Sequence, residues 1–174
     1  MVERKEYLDQ LWAWKDEQQI KVVTGIRRCG KSVLLEQYQQ RLLAEGVAPE
    51  QIISINFEDL DYEELTDYKK LYNYLKEHLV TNKMTYIFLD EIQECPNARC
   101  AIKFLVEDGR FDYIESDSLL GVKYKEVPSY AVGFEEIVYM YPMNFREFLG
   151  ANGVQETTFA ALQSCYEKHE KVPQ

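Results

Sequence analysis

Five short runs of apolar and β-branched residues lie along the chain, and the segments between them carry a different, helical spacing. The runs predict strands over residues 19–24, 51–57, 85–89, 111–115 and 137–141. Between them, apolar side chains recur three or four positions apart, as they do along one face of an amphipathic helix. Strands that alternate with helices in this way predict an α/β fold with a parallel five-stranded sheet covered on both faces.

The helical spacing predicts five helices. They are expected over residues 7–12, 33–46, 65–79, 97–109 and from 144 onward. The last begins with Asn144 and Glu147 at the N-cap and N3 positions of a capping box. The polar segment 123–136 contains proline and glycine and predicts a loop or hairpin. The polar end of the chain, residues 167–174, is expected to fray.

The loop after the first strand matches the phosphate-binding pattern G-x-x-x-x-G-K-[ST] at every fixed position. It reads Gly25-Ile26-Arg27-Arg28-Cys29-Gly30-Lys31-Ser32. Such a loop, between a strand and a helix, points successive backbone N–H groups at an anion. Lys31 is expected to reach the β- and γ-phosphates, and the Ser32 hydroxyl to ligate Mg²⁺. The residues expected to contact the nucleotide are Gly25, Arg28, Cys29, Gly30, Lys31, Ser32 and Val33.

Two acidic residues, Asp90 and Glu91, follow the third predicted strand. Ligands of open α/β sheets bind at the carboxyl ends of the strands, so both residues are expected beside the P-loop. Asp90 is expected to hold Mg²⁺ through water, opposite Ser32. Glu91 is expected near the γ-phosphate, where it would polarise an attacking water as general base. Lys31 and Glu91 are therefore the predicted catalytic residues.

The separation of these two motifs indicates a class of P-loop protein. A complete strand and a long helix lie between the P-loop helix and Asp90, so the two motif-bearing strands are not consecutive in the chain. A further strand inserted between them in the sheet, with a glutamate after the aspartate, marks the additional-strand class of P-loop ATPases. Small nucleotide kinases usually lack that glutamate and carry an arginine-rich lid, which is not evident here.

Two polar positions each leave two interpretations open. Ser116, Asp117 and Ser118 follow the fourth predicted strand, level with Glu91 if the strands are in register. They either contact the γ-phosphate or the attacking water, as a sensor residue does, or form a simple turn. Asn56 either hydrogen-bonds Glu91 and restrains it, or is an ordinary turn asparagine.

Composition limits the partners more than the fold. The 174 residues are enough for one domain, and 46% apolar and 29% charged residues are ordinary for a globular protein. A net charge of −10 gives no indication of nucleic-acid binding. No apolar stretch approaches the roughly 18 residues of a membrane helix, and the N-terminus is charged, so a cytoplasmic location is expected by default. Four cysteines without zinc-site spacing fit a reducing compartment.

Four motifs taken together resemble a family of prokaryotic AAA-type ATPases. They are the P-loop, residues 55–59 (Ile-Asn-Phe-Glu-Asp), residues 88–93 (Phe-Leu-Asp-Glu-Ile-Gln) and residues 141–149 (Tyr-Pro-Met-Asn-Phe-Arg-Glu-Phe-Leu). The resemblance implies an AAA-like fold, ATP and Mg²⁺ as ligands, and ATPase activity. Family members usually carry Gly-Ser after the fourth strand, where this chain has Asp117-Ser118.

Family members also join the AAA domain to a C-terminal domain of unknown function and are longer than this chain. Residues 1–150 are accordingly expected to form an ATPase domain, and 151–174 to begin a helical lid or form a frayed tail. Three functions stay open: an ATP-hydrolysing domain, an interaction module that holds ATP with little hydrolysis, and a phosphotransferase. Glu91 and the inserted strand argue against the third. A protein partner or a homo-oligomer is compatible with the first two.

Overall fold

A computed structural model describes residues 2–106, 109–118, 135–169 and 171. It contains a five-stranded sheet in which every neighbouring pair of strands is parallel. The strands are β1 Ile20–Gly25, β2 Ile52–Asn56, β3 Thr85–Asp90, β4 Phe111–Asp117 and β5 Glu135–Met140. Their order across the sheet is β2-β3-β4-β1-β5.

This order confirms the strand insertion that the sequence predicts. The inserted strand is β4, which lies between the P-loop strand β1 and the strand β3 that ends at Asp90. Thr24 of β1 is opposite Asp117, and Leu89 of β3 is opposite Glu115. The carboxyl ends of β1, β4 and β3 therefore meet at one edge of the sheet.

Helices cover both faces of the sheet in the described part of the chain. The α-helices are α1 Lys5–Trp12, α2 Lys31–Ala44, α3 Tyr68–Glu77, α4 Ala98–Val106, α5 Phe145–Ala151 and α6 Glu156–Glu167. Short 3₁₀ segments span Pro49–Gln51, Leu60–Thr66 and Ile92–Glu94. Asn144 and Glu147 form the predicted capping box at the start of α5. Among the described residues, no helix combines the length and the apolar character that crossing a membrane requires.

The core has two layers, one on each face of the sheet. On one face, α3 and α4 pack on strand residues through buried leucines and isoleucines such as Leu71 and Ile102. On the other face, α1 and α2 pack on the strands through Leu11, Leu34 and Tyr38. Burying each such side chain stabilises the fold by roughly 1.5–3 kcal/mol, and the sum holds the strand ends in a fixed arrangement.

Several predicted elements differ in their bounds, and the single helix predicted from residue 144 onward is two helices, α5 and α6. The helix predicted over 65–79 is two segments, a 3₁₀ helix Leu60–Thr66 and α3, because the Asp67 side chain accepts hydrogen bonds from the N–H groups of Lys69 and Lys70 and starts a new helix there. Strand β4 extends two residues further than predicted, through Asp117, and β5 begins two residues earlier, at Glu135. Most of the predicted loop over 123–136 lies outside the described residues.

Candidate nucleotide-binding site

The P-loop joins the end of β1 to the start of α2 and is shaped by its two glycines. A Cβ on Gly25 would lie 2.3 Å from the Met140 carbonyl oxygen, so only glycine allows β1 and β5 to approach this closely. Gly30 has φ of +100°, a left-handed conformation that favours glycine, directly before the first residue of α2. The loop therefore curls back onto the N-terminus of α2, as a phosphate-binding loop must.

Lys31 lies at the first position of α2, with 3% of its surface exposed. Its Nζ donates to the Ser118 hydroxyl at 2.7 Å and lies 3.4 Å from the carbonyl oxygens of Gly25 and Ile26. It also lies 3.8 Å from the Glu91 Oε1. The structure thus brings the two predicted catalytic side chains, Lys31 and Glu91, into one ion pair.

Asp90 and Glu91 are held by the end of β4. The Ser116 hydroxyl donates to the Asp90 Oδ1 and accepts from the Glu91 N–H at 3.1 Å. The Ser118 hydroxyl donates to the Glu91 Oε1 at 2.7 Å. Two serines of the 116–118 segment therefore hold the acidic pair, and Ser116 and Asp117 lie within β4 rather than in a turn. The role of a sensor stays a prediction.

Glu91 is a buried carboxylate with its own donors. Burial alone raises the pKa of Glu91, but the hydrogen bonds from Ser118 and Gln93 and the nearby charge of Lys31 outweigh it and hold that pKa below the usual value for glutamate. The Gln93 Nε2 donates to the Glu91 Oε2 at 2.6 Å. Glu91 also has φ of 54°, a left-handed conformation that is uncommon for glutamate. An ionised carboxylate of this kind can accept a proton from a bound water.

The other predicted contact residues differ in exposure. Ser32 is exposed and Val33 partly exposed in the first turn of α2, whereas Cys29 is buried. Arg28 is exposed with φ of 67°. Arg27, which is not among the predicted contacts, pairs through its Nη2 with the Glu58 Oε1 at 2.6 Å.

Asn56 lies opposite Asp90 at the end of β2. Its Oδ1 accepts from the Glu58 N–H at 2.9 Å, in the manner of an Asx-turn, while the Glu91 carboxylate is bonded to Ser118 and Gln93. The turn interpretation of Asn56 is therefore the one seen in this structure.

One residue that contacts the P-loop, Arg4, could not be identified from the sequence. Arg4 lies in the charged run 3–6, which predicts exposure, yet it is only 4% exposed. Its Nη1 donates to the Cys29 carbonyl at 3.2 Å. The contact joins residues 25 positions apart, so neither local periodicity nor a motif could have revealed it.

Comparison with known proteins identifies the family of this chain. A family model described as "AAA domain" matches residues 17–149. A Haemophilus influenzae protein, described as uncharacterized, is 33% identical over 176 residues, which cover 99% of this chain and 44% of that protein. The chain thus spans less than half the length of that relative.

Solved structures show the same fold at low sequence identity. PCH-2 of C. elegans matches with a TM-score of 0.52 and 12% identity, over 80% of this chain and 41% of that one. A chain of the Drosophila ORC structure bound to DNA matches with a TM-score of 0.54 and 11% identity, over 83% of this chain and 94% of that one. The fold, the P-loop and the family match agree with the resemblance seen in the sequence. The chain belongs to the AAA domain family, a family of P-loop nucleotide-binding proteins.

Proposed function

We propose that this chain is a Mg²⁺-dependent, ATP-binding AAA-type ATPase domain that hydrolyses the β–γ phosphate bond of ATP. The observation that carries the proposal is the convergence of Lys31 with Glu91 around the Ser118 hydroxyl, directly beside the P-loop. A buried cation and a buried general-base candidate, joined at the carboxyl edge of a parallel sheet, are the groups that phosphoanhydride hydrolysis needs. Residues 1–150 would form this domain, and 151–174 the start of a lid or tail.

Phosphate binding would rest on the P-loop backbone. The curled loop and the N-terminus of α2 supply N–H groups and the positive end of the helix dipole. Lys31 would exchange its present carbonyl and Ser118 partners for β- and γ-phosphate oxygens, which is favourable because those oxygens belong to anionic groups and the carbonyl and hydroxyl are neutral. The residues proposed to contact the nucleotide are Gly25, Arg28, Cys29, Gly30, Lys31, Ser32 and Val33.

The donor set suits Mg²⁺. Asp90 offers a carboxylate and Ser32 an exposed hydroxyl, and Mg²⁺ in such sites takes one or two protein oxygens and completes its shell with water and substrate phosphates. Within the described residues, no group of three or more histidine, cysteine or acidic side chains is arranged to hold a metal alone. When bound, the ion would neutralise charge that develops on the phosphates.

Glu91 would act on the attacking water. The water oxygen forms a bond to the γ-phosphorus, the bond to the β–γ bridging oxygen breaks, and ADP leaves with that electron pair. The carboxylate of Glu91 accepts the water's proton. Glu91 is ionised at neutral pH and can accept that proton, and giving up the Ser118 and Gln93 hydrogen bonds that lower its pKa would make it a stronger base.

Phosphate release by the wild type and by Glu91→Gln tests the proposal. We expect slow release above background from the wild type and a loss of about 10²-fold or more in the variant, with ATP binding retained. Glu94→Gln is the matched control, because Glu94 is an exposed glutamate three residues on, at the end of the 3₁₀ segment that Glu91 precedes. Background rates in all three proteins, with ATP still bound, would reject hydrolysis and support the interaction module instead.

A further inference from the structure

The Arg4 guanidinium divides its donors among three segments of the chain. Its Nη1 donates to the Cys29 carbonyl of the P-loop at 3.2 Å. Its Nη2 donates to the Tyr141 carbonyl, just after β5, at 2.9 Å. Its Nε donates to the Glu147 Oε1, in the first turn of α5, at 2.7 Å. Only arginine carries a planar fork of donors able to reach three acceptors at once.

The backbone around Arg4 is itself anchored on α2. The Arg4 N–H donates to the Gln37 Oε1 at 3.2 Å, and the Gln37 Nε2 donates to the Val2 carbonyl at 2.7 Å. The Arg4 carbonyl accepts the Leu8 N–H at 3.0 Å, at the start of α1. The backbone of Arg4 is therefore fixed to α2, the helix that follows the P-loop.

The contact with Cys29 fixes the orientation of one P-loop peptide. In a trans peptide the C=O and the following N–H point in opposite directions. A Cys29 carbonyl that is bonded to Arg4 therefore directs the Gly30 N–H away from Arg4. Gly30 is also the residue with the left-handed φ of +100°, where an unrestrained glycine has the most conformational freedom to lose.

We propose that Arg4 is a positioning residue that sets the P-loop for phosphate before nucleotide arrives. This inference rests on the proposed nucleotide site. By holding the Cys29–Gly30 peptide in one orientation, Arg4 leaves less ordering to be done when an anion binds, which raises affinity. Glu147 shares in this function, because its Oε1 holds Arg4 while its Oε2 accepts the Asn144 N–H at 2.8 Å and starts α5.

Arg4→Ala tests the proposal, with Arg41→Ala as the matched control. Arg41 also joins α1 to α2, through Asp9 at 2.8 Å and the Trp12 ring at 4.2 Å, but it does not contact the P-loop. The first measurement is hydrogen–deuterium exchange of residues 25–33 without nucleotide. We expect at least a tenfold faster exchange in this segment for Arg4→Ala, and wild-type exchange for Arg41→Ala.

The second measurement is the Kd for ATP with Mg²⁺. We expect it to rise at least tenfold in Arg4→Ala and to stay within twofold in Arg41→Ala. If Arg4→Ala does not fold, Arg4→Lys takes its place, since lysine keeps the charge but cannot reach three acceptors, and the same changes are expected.

The two measurements separate the failure of this inference from failure of the proposed function. If the P-loop of the Arg4 variant exchanges at the wild-type rate, the positioning role is overturned, whatever the Kd for ATP. An equal acceleration in Arg41→Ala also overturns it, because it would mean that the P-loop responds to any loss of α1 contacts. A wild-type protein that binds no ATP rejects the proposed function, while exchange still decides whether Arg4 orders the loop.

Discussion

The Lys31 ammonium group donates to the Ser118 hydroxyl at 2.7 Å, and the same hydroxyl donates to the Glu91 carboxylate, also at 2.7 Å. One serine thus connects the P-loop cation with the candidate general base. This contact, the 3.8 Å ion pair with Glu91 and the carbonyl oxygens of the P-loop together satisfy the buried charge of Lys31. Nucleotide has to displace these partners to engage Lys31.

Replacing the hydroxyl should therefore change affinity. In Ser118→Ala, Lys31 loses an acceptor that competes with phosphate, and we expect ATP to bind up to about fivefold more tightly, which corresponds to about 1 kcal/mol. Titration calorimetry measures this. Ser54→Ala is the control, because Ser54 lies on β2 and its hydroxyl accepts a hydrogen bond from the Gln39 Nε2 at 3.0 Å. Weaker binding by Ser118→Ala would contradict the idea that the hydroxyl competes with phosphate.

The ionisation of Glu91 can be measured directly. Its pKa should lie below the ordinary glutamate value of about 4.3, because the donors Ser118 and Gln93 and the charge of Lys31 outweigh burial. In Ser118→Ala, one donor is lost and the pKa should rise. NMR titration of the side-chain carboxyl carbon, assigned through Glu91→Gln, follows both proteins. A Glu91 pKa at or above the ordinary value in the wild type would show that burial dominates.

Stability should depend strongly on one buried ion pair in the sheet. The Lys21 Nζ lies 2.6 Å from the Asp112 Oδ1, and the two side chains are 0% and 1% exposed. Asp112→Asn leaves the buried Lys21 charge without a counter-charge, and we expect a loss of about 3 kcal/mol in the free energy of unfolding. The double variant Lys21→Met/Asp112→Asn should recover at least half of that loss. Urea denaturation measures all three proteins.

An exposed pair provides the comparison for this prediction. Lys70 and Glu64 lie 3.2 Å apart, with side chains 56% and 84% exposed. Glu64→Gln should cost less than about 1 kcal/mol, since solvent screens the interaction. If Asp112→Asn lowers the free energy of unfolding no more than Glu64→Gln does, the predicted contribution of the buried pair to stability is wrong.

The sequence predicts the framework of the site because its signals are local. The P-loop glycines and the Asp90-Glu91 pair each lie at the end of an apolar strand, and parallel strands bring such ends together. The choice among Ser116, Asp117 and Ser118 was not predictable. It depends on where β4 ends and which way each side chain points, and β4 extends through Asp117.

Arg4 lay beyond sequence reasoning for a different reason. A charged residue in a charged run is ordinarily solvated, whereas the buried Arg4 donates to acceptors in residues 29, 141 and 147. The break between the 3₁₀ segment and α3 was similarly hidden, since apolar residues keep helical spacing across it. The Asp67 side chain that starts α3 was the available signal.

The central claim, that the P-loop binds ATP with Mg²⁺, is tested most directly by equilibrium binding to the wild type and to Lys31→Ala. Lys83→Ala is the control, because Lys83 is an exposed lysine in the loop before β3. We predict saturable binding of Mg·ATP by the wild type and by Lys83→Ala. For Lys31→Ala we predict a Kd at least tenfold higher, which corresponds to a loss of about 1.4 kcal/mol in binding free energy. Equal affinities in all three proteins, or no binding to the wild type, would contradict the account.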